Sequence, residues 1–119
     1  MKKILIIEDD KIIKGIIEFL LKKEGYTTEF ASDGLAGLEK IASFSPDLII
    51  TDVMLPYKSG LEVIAFSKTT FPNIPIIVIS SLGKENSTVV EAFKLGANDI
   101  IAKPFNPMDL TSKIKTYLT

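Results

Sequence analysis

Polar side chains follow four apolar runs of the sequence, each at the point where the run ends. They are three acids after the first run (Glu8, Asp9 and Asp10), one acid after the second (Asp52), a hydroxyl after the third (Ser80) and an ammonium group after the fourth (Lys103). Carboxylates held close together repel one another, and a divalent cation removes that repulsion. Oxygen ligands without histidine or cysteine favour Mg²⁺ over zinc or copper. If the four runs end at one edge of a sheet, these residues predict an acidic Mg²⁺ site.

The same residue types suit phosphoryl transfer. An aspartate can attack phosphorus and form an acyl phosphate. An ammonium group and a hydroxyl can then stabilise the phosphoryl oxygens. Asp9 and Asp52 fit the metal role, Lys103 the charge and Ser80 the hydrogen bond. Taken singly, each residue has a plainer interpretation, such as a helix cap for Asp10, so the prediction depends on their combination.

Composition excludes several other kinds of site. The 119 residues include no cysteine and no histidine, which rules out disulfides, thiolate nucleophiles, histidine-ligated zinc and a Ser-His-Asp triad. The net charge of −1 gives no strong field that would attract nucleic acid or an anionic membrane. No apolar run approaches the roughly 20 residues of a membrane span, and acids arrive too early for a signal peptide. We therefore expect a cytoplasmic protein that binds neither nucleic acid nor membrane.

Apolar runs alternate with segments of helical periodicity along the chain. The predicted strands are Lys3–Glu8, Tyr26–Phe30, Asp47–Thr51, Pro75–Ser80 and Asp99–Ala102. The predicted helices are Lys11–Glu24, Asp33–Phe44, a helix capped by Ser59 that ends near Lys68, Lys84–Leu95, and a helix capped by Asn106 that begins at Pro107. This alternation predicts an α/β domain with a doubly wound parallel sheet. The three most apolar strands should be central, which favours the order 2-1-3-4-5 and a site at the carboxyl ends of strands 1 and 3.

Helical spacing also predicts which side chains face the sheet. The predicted inner residues are Ile13, Ile16, Ile17 and Leu20 in the first helix, Leu35, Leu38, Ile41 and Ala42 in the second, and Leu110, Ile114, Tyr117 and Leu118 in the last.

Five segments in register resemble the receiver domain of two-component response regulators, over essentially the whole of residues 1–119. They are ILIIEDD, PDLIITDVMLPYKSG, PIIVISS, LGAND and KPF. The resemblance implies a flavodoxin-like fold and a signalling switch rather than a conventional enzyme. It implies that a partner histidine kinase or phosphotransfer protein supplies a phosphoryl group, and that a downstream protein or a fused output domain responds.

The resemblance also implies a role for each site residue. Asp52 is the expected phosphoacceptor, Ser80 the switch hydroxyl and Lys103 the residue that pairs with the phosphoryl group. The expected Mg²⁺ ligands are Asp9, Asp52 and the backbone carbonyl of Met54, with Glu8 acting through water. The Lys103–Pro104 peptide bond is expected to be cis.

The chain departs from the family pattern at Ile100, where receivers often carry Tyr or Phe as the partner of the switch hydroxyl. The usual coupled rotation of hydroxyl and aromatic ring is therefore in doubt. The expected output face comprises the fourth helix, fifth strand and fifth helix, through which one large subfamily dimerises. Asp109 and Lys113 match charged positions used there, whereas Val89 stands where a basic residue is typical. Because Asp109 and Lys113 lie four residues apart, they are equally explained as an exposed pair on one helix.

Three alternatives remain at this point. A phosphorylation-independent receiver-fold interaction module would usually lack one of the acids or the lysine, and all are present. A phosphatase or phosphotransferase with an aspartate nucleophile commonly has a second acid two residues later, where Met54 stands. A flavin- or nucleotide-binding protein would require a phosphate-binding loop after the first strand, where acids occur instead.

Overall fold

The computed structural model describes residues 2–83 and 85–118, which form a parallel sheet with helices on both faces. The strands are β1 (Lys3–Ile7), β2 (Thr27–Ala31), β3 (Leu48–Asp52), β4 (Ile76–Ser80) and β5 (Asp99–Ala102). The helices are α1 (Lys11–Lys23), α2 (Gly34–Phe44), α3 (Gly60–Thr70), α4 (Ser87–Lys94) and α5 (Pro107–Leu118). All neighbouring strands are parallel, in the order β2-β1-β3-β4-β5. The predicted α/β class, doubly wound sheet and strand order are confirmed.

Two apolar layers cover the sheet, one on each face. Alternate residues of the central strands pack against α1 and α5, including Ile6, Ile50 and Ile77. The intervening residues, such as Ile49 and Val78, pack against α2, α3 and α4. Because β1, β3 and β4 are buried on both faces, their sequences are continuous apolar runs rather than alternating ones. Among the described residues, no helix has the length and apolar character needed to cross a membrane.

Several element boundaries differ from the prediction. α4 begins at Ser87 rather than Lys84, because Asn86 caps it: the Asn86 side chain accepts a hydrogen bond from the Thr88 N–H. Lys84 lies outside the described residues. Asp33 is the N-cap of α2 and not its first residue, and α1 ends before Glu24. The remaining differences are that β1 ends at Ile7, β2 and β3 lie one residue later than predicted, β4 begins at Ile76, α3 continues to Thr70, and α4 ends at Lys94.

Three residues predicted to face the sheet are exposed instead. Ile16 is 43% exposed and Leu35 is 48% exposed, and Ala42 is also exposed. On α2 the inner face includes Gly34 and Gly37, because this helix lies too close to its neighbours for side chains at those positions. The spacing of the apolar residues predicted that Leu35 and Ala42 face the sheet, and this prediction is wrong for both.

Gly34 fixes how closely α2 approaches the loop that follows β3. A Cβ atom at Gly34 would lie 1.7 Å from the backbone oxygen of Lys58. The Gly34 N–H also donates to the Pro56 carbonyl oxygen at 3.2 Å. The start of α2 therefore supports the loop between β3 and α3.

We predict that Gly34→Ala lowers the free energy of unfolding by about 1–3 kcal/mol, because the new methyl group forces the loop away. Gly15→Ala is the matched control, since Gly15 is exposed inside α1 and its Cβ would meet no atom within 4 Å. That control should raise stability by about 0.5–1 kcal/mol. Urea unfolding measures both. A Gly34→Ala protein as stable as wild type would contradict the close approach.

Candidate functional site

The carboxyl ends of β1, β3, β4 and β5 meet at one edge of the sheet. The strand register pairs Ile7 with Thr51, Asp52 with Ile79, and Ser80 with Ala102. The residues that end or follow these strands are therefore brought to the same edge, as predicted for Glu8, Asp9, Asp52, Ser80 and Lys103. This edge includes the topological switch point between β1 and β3, where open α/β sheets bind their ligands.

Three carboxylates form a compact cluster at this edge. Oxygens of Glu8, Asp9 and Asp52 lie within 4.8 Å of one another. Glu8 is 1% exposed and Asp52 is 7% exposed, whereas Asp9 is open to solvent. An all-oxygen donor set with one open side suits Mg²⁺, which binds through one or two carboxylates and keeps several waters. The residues present therefore fit the predicted metal.

The ammonium group of Lys103 lies between two of these acids. Its Nζ atom is 2.5 Å from Oδ2 of Asp52 and 2.8 Å from Oε1 of Glu8. Burial by itself lowers the pKa of Lys103, but its close contacts with the carboxylates of Asp52 and Glu8 outweigh that effect and raise the pKa above its ordinary value. Lys103 is therefore a permanent positive charge at the site. The Lys103–Pro104 peptide bond is cis, as the resemblance implied.

Glu8 is the acid most affected by its surroundings. Burial raises the pKa of Glu8, and this effect exceeds the lowering by the Lys103 ammonium and by the hydrogen bond from the Asp10 N–H. The charge of Asp52 raises the pKa further. A nearby cation stabilises the ionised form of a buried carboxylate whose pKa is raised in this way.

Asp10 has a structural role that differs from the roles of Glu8 and Asp9. Its side chain accepts hydrogen bonds from the N–H groups of Ile12 and Ile13, at 2.8 and 3.1 Å. It is therefore the N-cap of α1, which was the plainer of its two interpretations.

The loop after β3 holds the Asp52 carboxylate from its other side. The Met54 N–H donates to Oδ1 of Asp52 at 3.0 Å, while Oδ2 contacts Lys103. Met54 thus lies at the site, and its backbone carbonyl remains a predicted ligand. Gly60 closes the loop: its N–H donates to the Val53 carbonyl oxygen, and a Cβ atom there would lie 2.2 Å from the backbone oxygen of Asp52.

Ser80 ends β4 in a fully buried position beside the acids. Its Oγ atom accepts a hydrogen bond from the Leu82 N–H at 2.9 Å. Its carbonyl oxygen accepts a hydrogen bond from the Lys103 N–H, also at 2.9 Å, which joins the ends of β4 and β5. The end of β4 is therefore hydrogen-bonded to β5 through the Ser80 carbonyl, and the Ser80 hydroxyl is hydrogen-bonded to the backbone of Leu82.

The expected output face has charges that are already paired within the chain. Lys113 Nζ lies 3.4 Å from Asp99 and 3.8 Å from Asp109, and it donates to the Ile100 carbonyl oxygen at 2.7 Å. Val89, which the resemblance placed at a typically basic position, is fully buried and contributes nothing to the surface. These contacts agree with the interpretation of Asp109 and Lys113 as a pair on one helix.

The sequence analysis did not identify the residues that support the site from a distance. Gly34 lies on α2 but supports the loop after β3, and the sequence around it shows only that a glycine follows the N-cap residue. Tyr57 adopts a left-handed backbone, with φ of 66°, at the centre of a turn closed by the Lys58 N–H and the Pro56 carbonyl oxygen. No residue-type pattern predicts tyrosine in that conformation.

Comparison with known proteins agrees with this geometry. Residues 4–115 match the family described as response regulator receiver domain. The chain is 36% identical over 116 residues to the uncharacterized transcriptional regulatory protein YclJ of Bacillus subtilis, covering 98% of this chain and 50% of that protein. The chain thus spans half the length of this curated relative.

Solved structures give the same result. A CheY-like response regulator receiver domain protein from Methanospirillum hungatei superposes with a TM-score of 0.92 at 33% identity, covering 98% of this chain and 92% of the other. The chemotaxis protein CheY4 of Vibrio cholerae gives 0.91 at 28% identity, covering 99% of both chains. The chain therefore belongs to the response regulator receiver domain family of two-component systems, whose general role is that of a phosphorylation switch.

We predict that Mg²⁺ stabilises the folded protein, because it binds a carboxylate cluster that exists only in the folded state. At a concentration about tenfold above its Kd, Mg²⁺ should raise the free energy of unfolding by about 1.4 kcal/mol. Asp9→Asn should remove most of this gain, whereas Glu18→Gln, which changes a partly exposed acid on α1 that is paired with Lys22, should retain it. Urea unfolding with and without Mg²⁺ makes the comparison. Equal gains in the two variants would place the metal elsewhere.

Proposed function

We propose that this chain is a phosphorylation-activated switch in which Asp52 accepts a phosphoryl group from a histidine of a partner kinase or phosphotransfer protein. The observation that supports this most directly is the surroundings of Asp52. One of its oxygens contacts Lys103, and the carboxylate lies within 4.8 Å of Glu8 and Asp9. A nucleophile, a fixed cation and a metal-binding acid pair thus occupy one small site.

The chemical step is a displacement at phosphorus. A carboxylate oxygen of Asp52 attacks the phosphorus, an O–P bond forms, and the P–N bond to the donor imidazole breaks with its electron pair on nitrogen. When bound, Mg²⁺ would neutralise charge on the phosphoryl oxygens, held by Asp9, Asp52, the Met54 carbonyl and, through water, Glu8. The protein is in this view not a conventional enzyme, since it assists its own phosphorylation and dephosphorylation.

Lys103 and Ser80 respond to the new group. Phosphorylation adds roughly −1.5 to −2 charges beside the Lys103 ammonium. Lys103, now paired with Asp52, would pair with a phosphoryl oxygen, and the Ser80 hydroxyl would donate to another. This local change would bias the loop after β4 and with it α4, so that the face formed by α4, β5 and α5 reports the phosphorylated state.

That face would contact a downstream protein, an output domain or a second copy of the chain. Val90 and Phe93 of α4 are exposed there, which suits a protein partner. A dimer formed through salt bridges of Asp109 and Lys113 would first have to break the contacts that these residues make within the chain. Dimerisation through this face is therefore the less favoured of the three arrangements.

The outer face of α1 supports a helical protein as the phosphodonor. Ile12, Ile16 and Phe19 are exposed by 75%, 43% and 67%, and their spacing places them on one stripe of the helix. The stripe begins next to Asp9 and Asp10, at the open side of the acid cluster. Because Asp52 itself is nearly buried and Asp9 is exposed, we expect a donor to approach past Asp9. A helix that carries the donor histidine could cover the stripe while its imidazole reaches Asp52.

We predict that acetyl phosphate with Mg²⁺ adds one phosphoryl group to the wild-type chain. The adduct should be absent from Asp52→Ala and from wild type treated with EDTA, because the nucleophile or the metal is then missing. Intact-mass spectrometry measures the adduct. An unmodified wild type that also fails to bind beryllofluoride would favour the alternative, a phosphorylation-independent interaction module.

We also predict that Phe19→Ser slows phosphotransfer from a histidine kinase that labels the wild type. Loss of one central aromatic contact should lower the rate about tenfold. Labelling by acetyl phosphate should be unchanged, since a small donor does not contact α1. Leu35→Ser, at an exposed leucine of α2, is the matched control. Equal effects of the two substitutions on kinase transfer would rule out the α1 stripe as the docking surface.

A further inference from the structure

A depression lies on the surface between the loop after β4 and helix α5. Its volume is about 260 Å³, and it is lined by Leu82, Gly83, Ile100, Ala102, Asp109 and Lys113. Ile100 is buried at this position, where the resemblance would place a larger aromatic side chain. Ile100 thus forms part of the wall of the depression.

Leu82 connects the depression to the phosphorylation site. Its side chain, which is half-buried, lines the depression, while its backbone N–H donates to Oγ of Ser80 at 2.9 Å. If the Ser80 hydroxyl turns to donate to a phosphoryl group on Asp52, that hydrogen bond is lost or the Leu82 backbone follows it. The Ser80 carbonyl is held by the Lys103 N–H, so movement is confined to the segment after Ser80.

The walls of the depression are suited to receive an apolar side chain. Ile100 and Ala102 supply apolar surface, and Ala102 is exposed. Asp109 and Lys113 form the polar part of the wall, and the Lys113 ammonium is already paired with the Ile100 carbonyl oxygen and Asp99. A half-buried leucine gains burial by entering, and burial of apolar surface is favourable.

We propose that Leu82 is the moving element of the switch: when Ser80 turns to the phosphoryl group, the Leu82 side chain enters the depression and packs on Ile100. An aliphatic pair then replaces the coupled hydroxyl and aromatic ring of other receivers. The movement is transmitted to α4, because the Gly83 carbonyl oxygen accepts a hydrogen bond from the N–H of Asn86, the residue that caps α4. This inference rests on the proposed function and names how its site would be coupled to the output face.

The test compares the protein with and without beryllofluoride and Mg²⁺, which mimic the phosphoryl group. Methyl-labelled protein is exposed to a soluble paramagnetic agent, and NMR measures the relaxation enhancement at each methyl group. The enhancement at Leu82 should fall toward that of the buried Ile101 when beryllofluoride binds. The enhancement at Leu35, which is exposed on α2, should stay unchanged. Fluorine NMR reports bound beryllofluoride independently.

Two variants separate the proposed movement from a general conformational change. Ala102→Leu fills the depression, so it should retain bound beryllofluoride but lose the decrease at Leu82 and the chemical-shift changes of α4. Ala42→Leu is the matched control, because Ala42 is exposed on α2. Leu82→Ala should also lose the α4 shifts, and Leu82→Met, which keeps a long apolar side chain, should restore them.

The outcomes distinguish this inference from the function on which it rests. Bound beryllofluoride with no change at Leu82, or a full α4 response in Ala102→Leu, would overturn the inference and leave the phosphoacceptor role intact. Absence of bound beryllofluoride in wild type would overturn both.

Discussion

The ammonium group of Lys103 lies between two buried carboxylates, and the rest of the site depends on this contact. Three acids within 4.8 Å would repel one another strongly in a poorly solvated edge of the sheet. Lys103 offsets part of that repulsion through Asp52 and Glu8, and leaves Asp9 open to solvent. The protein's own residues therefore hold this arrangement of charges in place.

The fold supplies this contact through long-range register rather than through a local motif. Glu8 and Lys103 are far apart in the sequence, yet the parallel order β2-β1-β3-β4-β5 brings the ends of their strands to one edge. Close packing then fixes the acceptor loop. Gly60 lies against the Asp52 backbone and Gly34 against Lys58, so the loop contacts both its own strand and the start of α2, the helix that precedes β3 in the chain. A change at Gly34 is thereby coupled to the position of the loop that follows Asp52.

Ile100, where the sequence departs from the family pattern, lies on the strand that leads to Lys103 and lines the surface depression. The depression lies beside the buried Ile100, at the position where the resemblance led us to expect an aromatic side chain. Leu82 is bonded to the Ser80 hydroxyl and lines the same depression. In our proposal, Leu82 and Ile100 form an aliphatic route from the proposed acceptor Asp52 to α4.

The sequence by itself determined the alternation of strands and helices, the order of the sheet and the identity of the residues at the strand ends. These features follow from local hydrophobic periodicity, from caps such as Ser59 and Asn106, and from the rule that the most apolar strands are central. In α2, Leu38 and Ile41 pack in the core as predicted, but only the tertiary structure showed that Gly34 and Gly37 fill the other inner positions, because the helix lies too close to its neighbours for side chains there. It also decided that Val89 is buried, that Lys113 is paired within the chain, and that Leu82 reaches both Ser80 and the depression. Such contacts join residues from different elements, and their distances depend on how helices pack against the sheet, which residue types and spacing do not specify.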